Sequence, residues 1–274
     1  MKNVKDVLIA HGFRFNKQFG QNFISDKNLL SAIVADAKIT KDDEVLEIGP
    51  GGGGLSQAIC EKCKRLVCVE IDRNLQDVLY ETLEDFDNVK VIFGDALKMP
   101  IAEIEQNFAW NYKIVANLPY YITTPLIFKF LEESERAENI TIMVQKEVAK
   151  RLVAKAGDED YSVLSVMANF YADVKLVRQV NRQMFFPVPG VDSAVVCLTR
   201  KKEFSDLVKK EDFRKVVAAS FQMKRKTLLN NLSSNLLKSK QEIENALNEI
   251  EISPSERAER VSVQNFVVLT KKFF

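Results

Sequence analysis

The sequence predicts an α/β fold in which a mainly parallel sheet precedes a small all-α domain, and three observations carry that prediction. Apolar patterns of strand and helix type alternate from residue 26 to about residue 156, as right-handed βαβ units do. A glycine-rich turn at 49–54, GPGGGG, joins the first of these strands to a helix. From residue 204 onward the apolar patterns are all helical in period.

In order along the chain, Asp26 is placed to cap a helix on which Leu29, Leu30, Ile33, Val34 and Ala37 share one face. EVLEI (44–48) reads as a strand, and the glycine turn leads from it into a helix through Ile59. The strand RLVCVEI, the helix NLQDVLYETL, the strand VKVIF and the strand KIVA follow. Thr124 is expected to cap, and Pro125 to open, the helix PLIFKFLEES, because proline suits a first helical turn. ITIMV and QKEVAKRLVAKA supply one more strand and helix. After residue 157 the rhythm changes: VKLVRQV and SAVVCLTR read as strands that flank the loop FFPVPGVDS and form an antiparallel edge. EDFRKVVAASF, KTLLNNLSSNLL, QEIENALNEI and SVQNFVVLTKKFF are helices. A domain over 1–203, which includes an N-terminal extension, is therefore expected to precede one over 204–274.

Composition narrows the class. At 274 residues the chain can bury a large core. No run approaches the roughly 18 apolar residues of a membrane span. The amino terminus MKNVKDVLIAHGF has neither the apolar core nor the cleavage site of a secretory signal. A cytoplasmic protein with no membrane association is therefore expected; the sequence leaves oligomeric state open, and a monomer is the expectation. Cys60 and Cys63 form a lone C-x-x-C inside an apolar helical pattern, and the single histidine, His11, is far away in sequence. Four ligands are not at hand, so no metal site is expected and the cysteines read as small packing residues. The net charge of +1 hides an uneven distribution: residues 200–240 hold 12 Lys and Arg against 4 Asp and Glu. Either a polyanion meets that region or its helices carry solvated basic faces.

The glycine turn is the first chemical signal. Glycines between a strand and a helix allow a tight turn and a close approach of ligand to backbone. Gly49, Gly51 and Gly54 fit G-x-G-x-x-G, while Glu47, Gly49, Gly51 and Gly53 fit the E-x-G-x-G-x-G of S-adenosylmethionine enzymes. Glu70 ends the second strand, where a carboxylate can accept from both ribose hydroxyls. NAD and S-adenosylmethionine share that ribose, so these residues indicate a nucleoside and leave the two open. Asp95 follows the third strand and can either accept from an adenine amino group or cap the next turn.

The stretch KIVANLPYY is the second signal. Asn117 closes an apolar strand and Pro119 stops its hydrogen-bonding ladder. The side-chain oxygen of Asn117 and the carbonyl of Leu118 can both accept from one exocyclic amino group, and Tyr120 can stack on the base that carries it.

The ordered set FGQNF, EIGPG, VEID, GDAL, NLPY and FFPVPGVDSAVV resembles the KsgA (RsmA) family of small-subunit (16S) ribosomal RNA adenine N6,N6-dimethyltransferases. The likeness extends through FQMKRKTLLNNL and SPSERAERVSVQNF, nearly the whole chain. It implies a Rossmann-like S-adenosylmethionine-dependent methyltransferase sheet with a small C-terminal all-α domain. It implies cofactor contacts from Asn22, Ile24, Gly49, Gly51, Glu70, Asp95 and Asn117, with Asn117, Leu118 and Tyr120 at the target amine. The F-x-P-x-P aromatic that meets the target base falls on Phe185, with Phe186 beside it as the alternative. Many relatives carry a bulkier residue in the stretch held here by Gly52–Gly54. The implied substrate is a pair of adjacent adenosines in a hairpin loop near the RNA 3′ end, in an immature 30S-type particle. Lys224, Arg225 and Lys226, read as part of a helix, are the candidate RNA contacts. Large-subunit methylation of the Erm type and a binding factor that does not catalyse are the rival readings. An NAD oxidoreductase has no use for NLPY.

Overall fold

The computed structural model describes residues 2–13, 22–24 and 26–274. Two compact units comprise residues 1–149 with 175–200, and residues 150–174 with 201–274. The division after residue 200 lies close to the boundary expected at 203/204, but residues 150–174 join the second unit as well. Chain order alone does not reveal that the backbone leaves one core and comes back to it.

In the first unit, α1 (Val4–Ala10) leads to the short strand β1 (Phe23–Ile24) and to α2 (Lys27–Asp36), whose N-terminus is capped by Asp26 accepting from Leu29 N–H. The elements that follow are β2 (Glu44–Ile48), α3 (Gly54–Cys60), β3 (Arg65–Glu70), α4 (Gln76–Leu83) and β4 (Val89–Phe93). After them come α5 (Ile101–Glu105), β5 (Tyr112–Asn117), α6 (Tyr120–Glu133), β6 (Ala137–Gln145) and α7 (Lys146–Val153). The chain crosses α8 (Val163–Tyr171), then β7 (Ala172–Val180), β8 (Phe185–Phe186) and β9 (Ser193–Arg200). Seven strands form one sheet in the order β4-β3-β2-β5-β6-β9-β7; β2, β3, β4, β5 and β6 run parallel and β9 runs antiparallel to β6. β1 and β8 make a separate antiparallel pair, Phe23 opposite Phe186 and Ile24 opposite Phe185.

Burial on both faces explains the composition of the central strands. All five residues of β2 are buried, and Val45, Leu46, Val67 and Val115 have almost no exposed surface. Cys60, Cys63 and Cys68 lie in this core as free thiols.

Beyond the short elements β1, α5 and β8, which the sequence reading does not contain, three helices differ from expectation. Helix α6 begins at Tyr120, with Pro119 as its N-cap, and Pro125 sits inside it. The hydroxyl of Thr123 donates to the Pro119 carbonyl, so the first turn forms before the proline that was expected to open it. Helix α8 has no counterpart in the expected elements, although Ser162 and Ser165 build a reciprocal cap for it. Helix α1 lies in the expected N-terminal extension, yet Val7 and Leu8 bury against Leu75, Val78, Leu79 and Leu83.

The second unit packs α8 with α9 (Lys210–Ser220), α10 (Leu228–Asn235), α11 (Lys240–Glu249) and α12 (Val263–Phe273). The Phe170 and Phe213 rings stack 3.9 Å apart at its centre. Each of the later helices starts at a hydroxyl: Thr227 accepts from Asn230 N–H, Ser239 shares a capping box with Glu242, and Ser262 accepts from Asn265 N–H. Among the described residues no helix is long and apolar enough to cross a membrane.

Candidate active site

The sheet order reverses between β2 and β5: the chain runs outward from β2 through β3 to β4, then returns to β5 on the other side of β2. Such a switch point opens a crevice at the carboxyl ends of the strands. Register sets what lines it. Ile48 is level with Val69 and with Ala116, so Gly49, Glu70 and Asn117 emerge side by side one residue later. Glu70 is level with Phe93, which puts Gly94 and Asp95 at the same edge.

A cavity of about 240 Å³ lies there, and Asn22, Ile24, Gly49, Gly51, Glu70 and Asp95 all line it, as do Asn117 and Leu118. Residues spread over almost a hundred positions are thus brought to one wall. The glycine turn needs its composition: Gly49, Gly51 and Gly53 hold φ of 69°, 57° and 83°. A Cβ on Gly51 would sit 2.7 Å from the Phe23 ring, so the backbone passes where a side chain has no room.

Glu70 is nearly enclosed, and its carboxylate accepts from Gly51 N–H at 3.0 Å and Asp72 N–H at 2.8 Å. Burial pushes its pKa upward, while those two donors pull it back toward the charged form. Asp95 does what its alternative reading expected: it accepts from Leu97 N–H at 3.0 Å while also facing the cavity. That loop is braced by Lys129 of α6, whose ammonium donates to the carbonyls of Leu97 and Met99.

Asn117 Nδ2 donates to the carbonyl of Asn22 at 3.0 Å. This fixes the amide plane and makes the opposite atom, Oδ1, the acceptor. Leu118 has its side chain buried and lies 4.0 Å from the position of a Cβ on Gly49, so the glycine turn and the NLPY stretch meet. Tyr120 opens α6, and its ring lies outside the described residues, as does Gln21 of FGQNF.

The two rings of FFPVP take different places. Phe185 is only 3% exposed, within a core cluster that includes Ile24, Val180 and Val195. Pairing with β1 turns alternate residues to opposite faces, so Phe186 faces out, 40% exposed, with Lys5 Nζ 5.0 Å from its ring centre. In the second unit, Lys224, Arg225 and Lys226 are exposed but stand on the turn before α10, not on a helix. Buried Asn231 holds that turn by accepting from Met223 N–H and donating to Met223 C=O, both at 3.1 Å.

Sequence reasoning missed Val4, which lines the cavity from α1. Its signal was present: Asn3 precedes Val4, Val7 and Leu8, an N-cap followed by i, i+3, i+4 apolar spacing.

The pocket fits a nucleoside. It joins a glycine cradle with no room for a Cβ to a ribose-type carboxylate at the end of β3 and a second acid beyond β4. Comparison with known proteins agrees. A family model described as ribosomal RNA adenine dimethylase matches residues 12–273. A ribosomal RNA small subunit methyltransferase A from Clostridioides difficile (strain 630) is 42% identical over 269 residues, covering 97% of this chain and 93% of its own. The protein of the same name from Bacillus cytotoxicus is also 42% identical, covering 97% and 94%. Among solved structures, a dimethyladenosine transferase from Plasmodium falciparum superposes with a TM-score of 0.77 at 29% identity, covering 91% of this chain and 98% of that one. The 23S rRNA methyltransferase ErmE gives 0.71 at 25% identity, covering 92% and 99%.

Proposed function

Because the chain belongs to the ribosomal RNA adenine dimethylase family, we propose that it dimethylates N6 of two adjacent adenosines in a hairpin loop near the 3′ end of small-subunit (16S) rRNA, during ribosome biogenesis. The observation that carries the reading is the convergence of Asn117 and Leu118 with Gly49, Glu70 and Asp95 on one cavity. The 42% identity to small-subunit enzymes over 97% of the chain favours that substrate over large-subunit RNA.

The residues divide the work. Gly49 and Gly51 give the cofactor backbone contact, Glu70 accepts from its ribose, Asp95 faces its adenine, and Asn22 and Ile24 close the near wall. S-adenosylmethionine supplies a methyl group on a sulfonium sulfur. Asn117 Oδ1 and the Leu118 carbonyl accept the two N–H bonds of the target amine, which turns the nitrogen lone pair out of conjugation with the ring. With the cofactor bound, its C–S bond would break as the N–C bond formed, and the N6 proton, made acidic by alkylation, would pass to solvent. No general base is needed in contact; catalysis comes from positioning and from acceptors facing the positive charge that grows on nitrogen. The second round repeats this on the monomethylated amine, with a single N–H left to hold.

Lys224, Arg225 and Lys226 supply phosphate contacts on the RNA, and the protein acts as a monomer on an immature 30S-type particle in the cytoplasm. The deciding experiment is mass spectrometry of rRNA nucleosides after incubation with S-adenosylmethionine and undermethylated 30S particles, with 50S particles alongside. N6,N6-dimethyladenosine confined to small-subunit RNA is expected. The same signal in 50S particles would move the assignment to large-subunit RNA.

A further inference from the structure

Helix α1 is docked against the cofactor end of the sheet, and the polar contacts that dock it are specific. The Lys2 N–H donates to Gln57 Oε1 at 2.6 Å, and Gln57 Nε2 donates to the Lys2 carbonyl at 3.3 Å. Gln57 is a buried amide of α3, so the first turn of the chain satisfies a group that folding would otherwise leave unpaired. The Lys2 ammonium binds the Glu81 carbonyl at 2.8 Å and the Glu84 carboxylate, both from the α4 region. At the other end of the helix, His11 Nε2 lies 2.7 Å from Glu81 Oε2. Between these anchors, Val4 points at the glycine turn.

A Cβ on Gly52 would overlap Cγ1 of Val4, and one on Gly54 would lie 3.4 Å from Cγ2. Val4 also lines the cavity beside Gly51 and Gly54. The turn therefore lacks side chains on the side where Val4 stands, and a β-branched residue with one stiff torsion fills the space. Leu8, 3.6 Å from the same point, backs it.

We propose that Val4 is a positioning residue of the cofactor pocket: helix α1 wedges it against Gly52 and Gly54 so that the glycine turn is held in its binding shape. The inference rests on reading the cavity as the S-adenosylmethionine pocket. It assigns α1 a part in cofactor binding that neither the glycine pattern nor the NLPY stretch contains. It also accounts for the glycine at residue 52, since the wall that a side chain there would form comes from Val4.

The test is a size-swap cycle read by calorimetric titration of S-adenosylhomocysteine into the full-length protein, with the melting temperature of each cofactor-free protein measured in parallel. Val4→Ala leaves a gap beside the turn, and Gly52→Ala overfills the wedge; each is expected to raise Kd by about tenfold, roughly 1.4 kcal/mol. The double variant Val4→Ala with Gly52→Ala restores the packing, and its Kd is expected within about threefold of wild type, a coupling that independent sites do not show. Should Gly52→Ala fail to fold alone, Val4→Ala against Val4→Thr decides, because Thr keeps the shape and is expected to keep the affinity. Wild-type affinity in the Val4→Ala protein, or additive losses in the double variant, would overturn the inference. Failure of the wild-type protein itself to bind S-adenosylhomocysteine would overturn the cofactor reading, and this inference with it.

Discussion

The side-chain amide of Asn117, at the end of β5, donates from Nδ2 to the main-chain carbonyl of Asn22, 3.0 Å away and 95 residues earlier. One bond thus sets the direction of the side-chain acceptor oxygen, and it ties the NLPY stretch to the segment that closes the near wall of the cavity.

Asn117→Ala is expected to lower kcat by a factor on the order of 10²–10³, the usual cost of removing one preorganised electrostatic partner. Asn22→Ala removes a side chain and keeps the carbonyl, so the Asn117 amide retains its orientation. It is expected to raise the KM for S-adenosylmethionine about tenfold while kcat stays within about threefold. Steady-state kinetics on 30S particles separates the two; equal losses of kcat in both variants would contradict the assignment.

Glu47 governs a pH effect on stability. It is buried in β2, accepts from the Ser56 hydroxyl and the Cys68 thiol, and has its pKa raised to about 7, chiefly by loss of solvent. The raised value means that the folded state holds a proton the unfolded chain has already released. The resulting stabilisation is complete below pH ~4.5 and is lost as pH rises to about 7, a change of about 3 kcal/mol at most. Glu47→Gln cannot ionise, so its stability relative to wild type should rise between pH 5 and pH 8. Urea titrations at those two pH values measure it, and a pH-independent difference would refute the prediction.

Phe185 and Phe186 are adjacent but serve different ends. Phe185→Ala opens a cavity in the core and is expected to cost about 3–5 kcal/mol. Phe186→Ala removes an exposed ring and is expected to cost under about 1 kcal/mol. Chemical denaturation ranks them directly. Equal costs would mean that the two rings share the core.

The basic turn is testable through salt. Replacing Lys224, Arg225 and Lys226 by Ala together should flatten the plot of log K against log salt for RNA binding, by about 0.7–0.9 for each phosphate no longer neutralised. Filter binding across a salt series reads the slope, and an unchanged slope would place the RNA elsewhere. Asn231→Ala, which frees the turn by removing both bonds to Met223, is expected to weaken binding while leaving all three charges and most of the slope intact.

The positions of Gly49, Gly51, Glu70, Asp95 and Asn117 could be read from the chain because each ends, or closely follows, a strand with an unambiguous apolar pattern. In a parallel sheet all such ends face one edge, so knowing the strands is nearly knowing the crevice. Helix α1 was legible in period but not in purpose, since nothing local to Val4 names Gly52 as its neighbour. The start of α6 escapes a local reading because proline at residue 125 looks like a helix opener, whereas the chain has already turned at Pro119.

The α/β class, the strands of the parallel sheet, the glycine cradle with its carboxylates, and an enzyme family were all legible in the chain. The fold class, strands and glycine turn follow from local periodicity and residue type, whereas the family follows from the resemblance of the ordered motifs. Folding alone shows that β5 lies beside β2, that Asn22 orients Asn117, that Phe185 is buried while Phe186 is exposed, and that Val4 walls the cavity. Each of those rests on a meeting of segments far apart in the chain, where register and the packing of neighbouring elements choose which face a side chain presents.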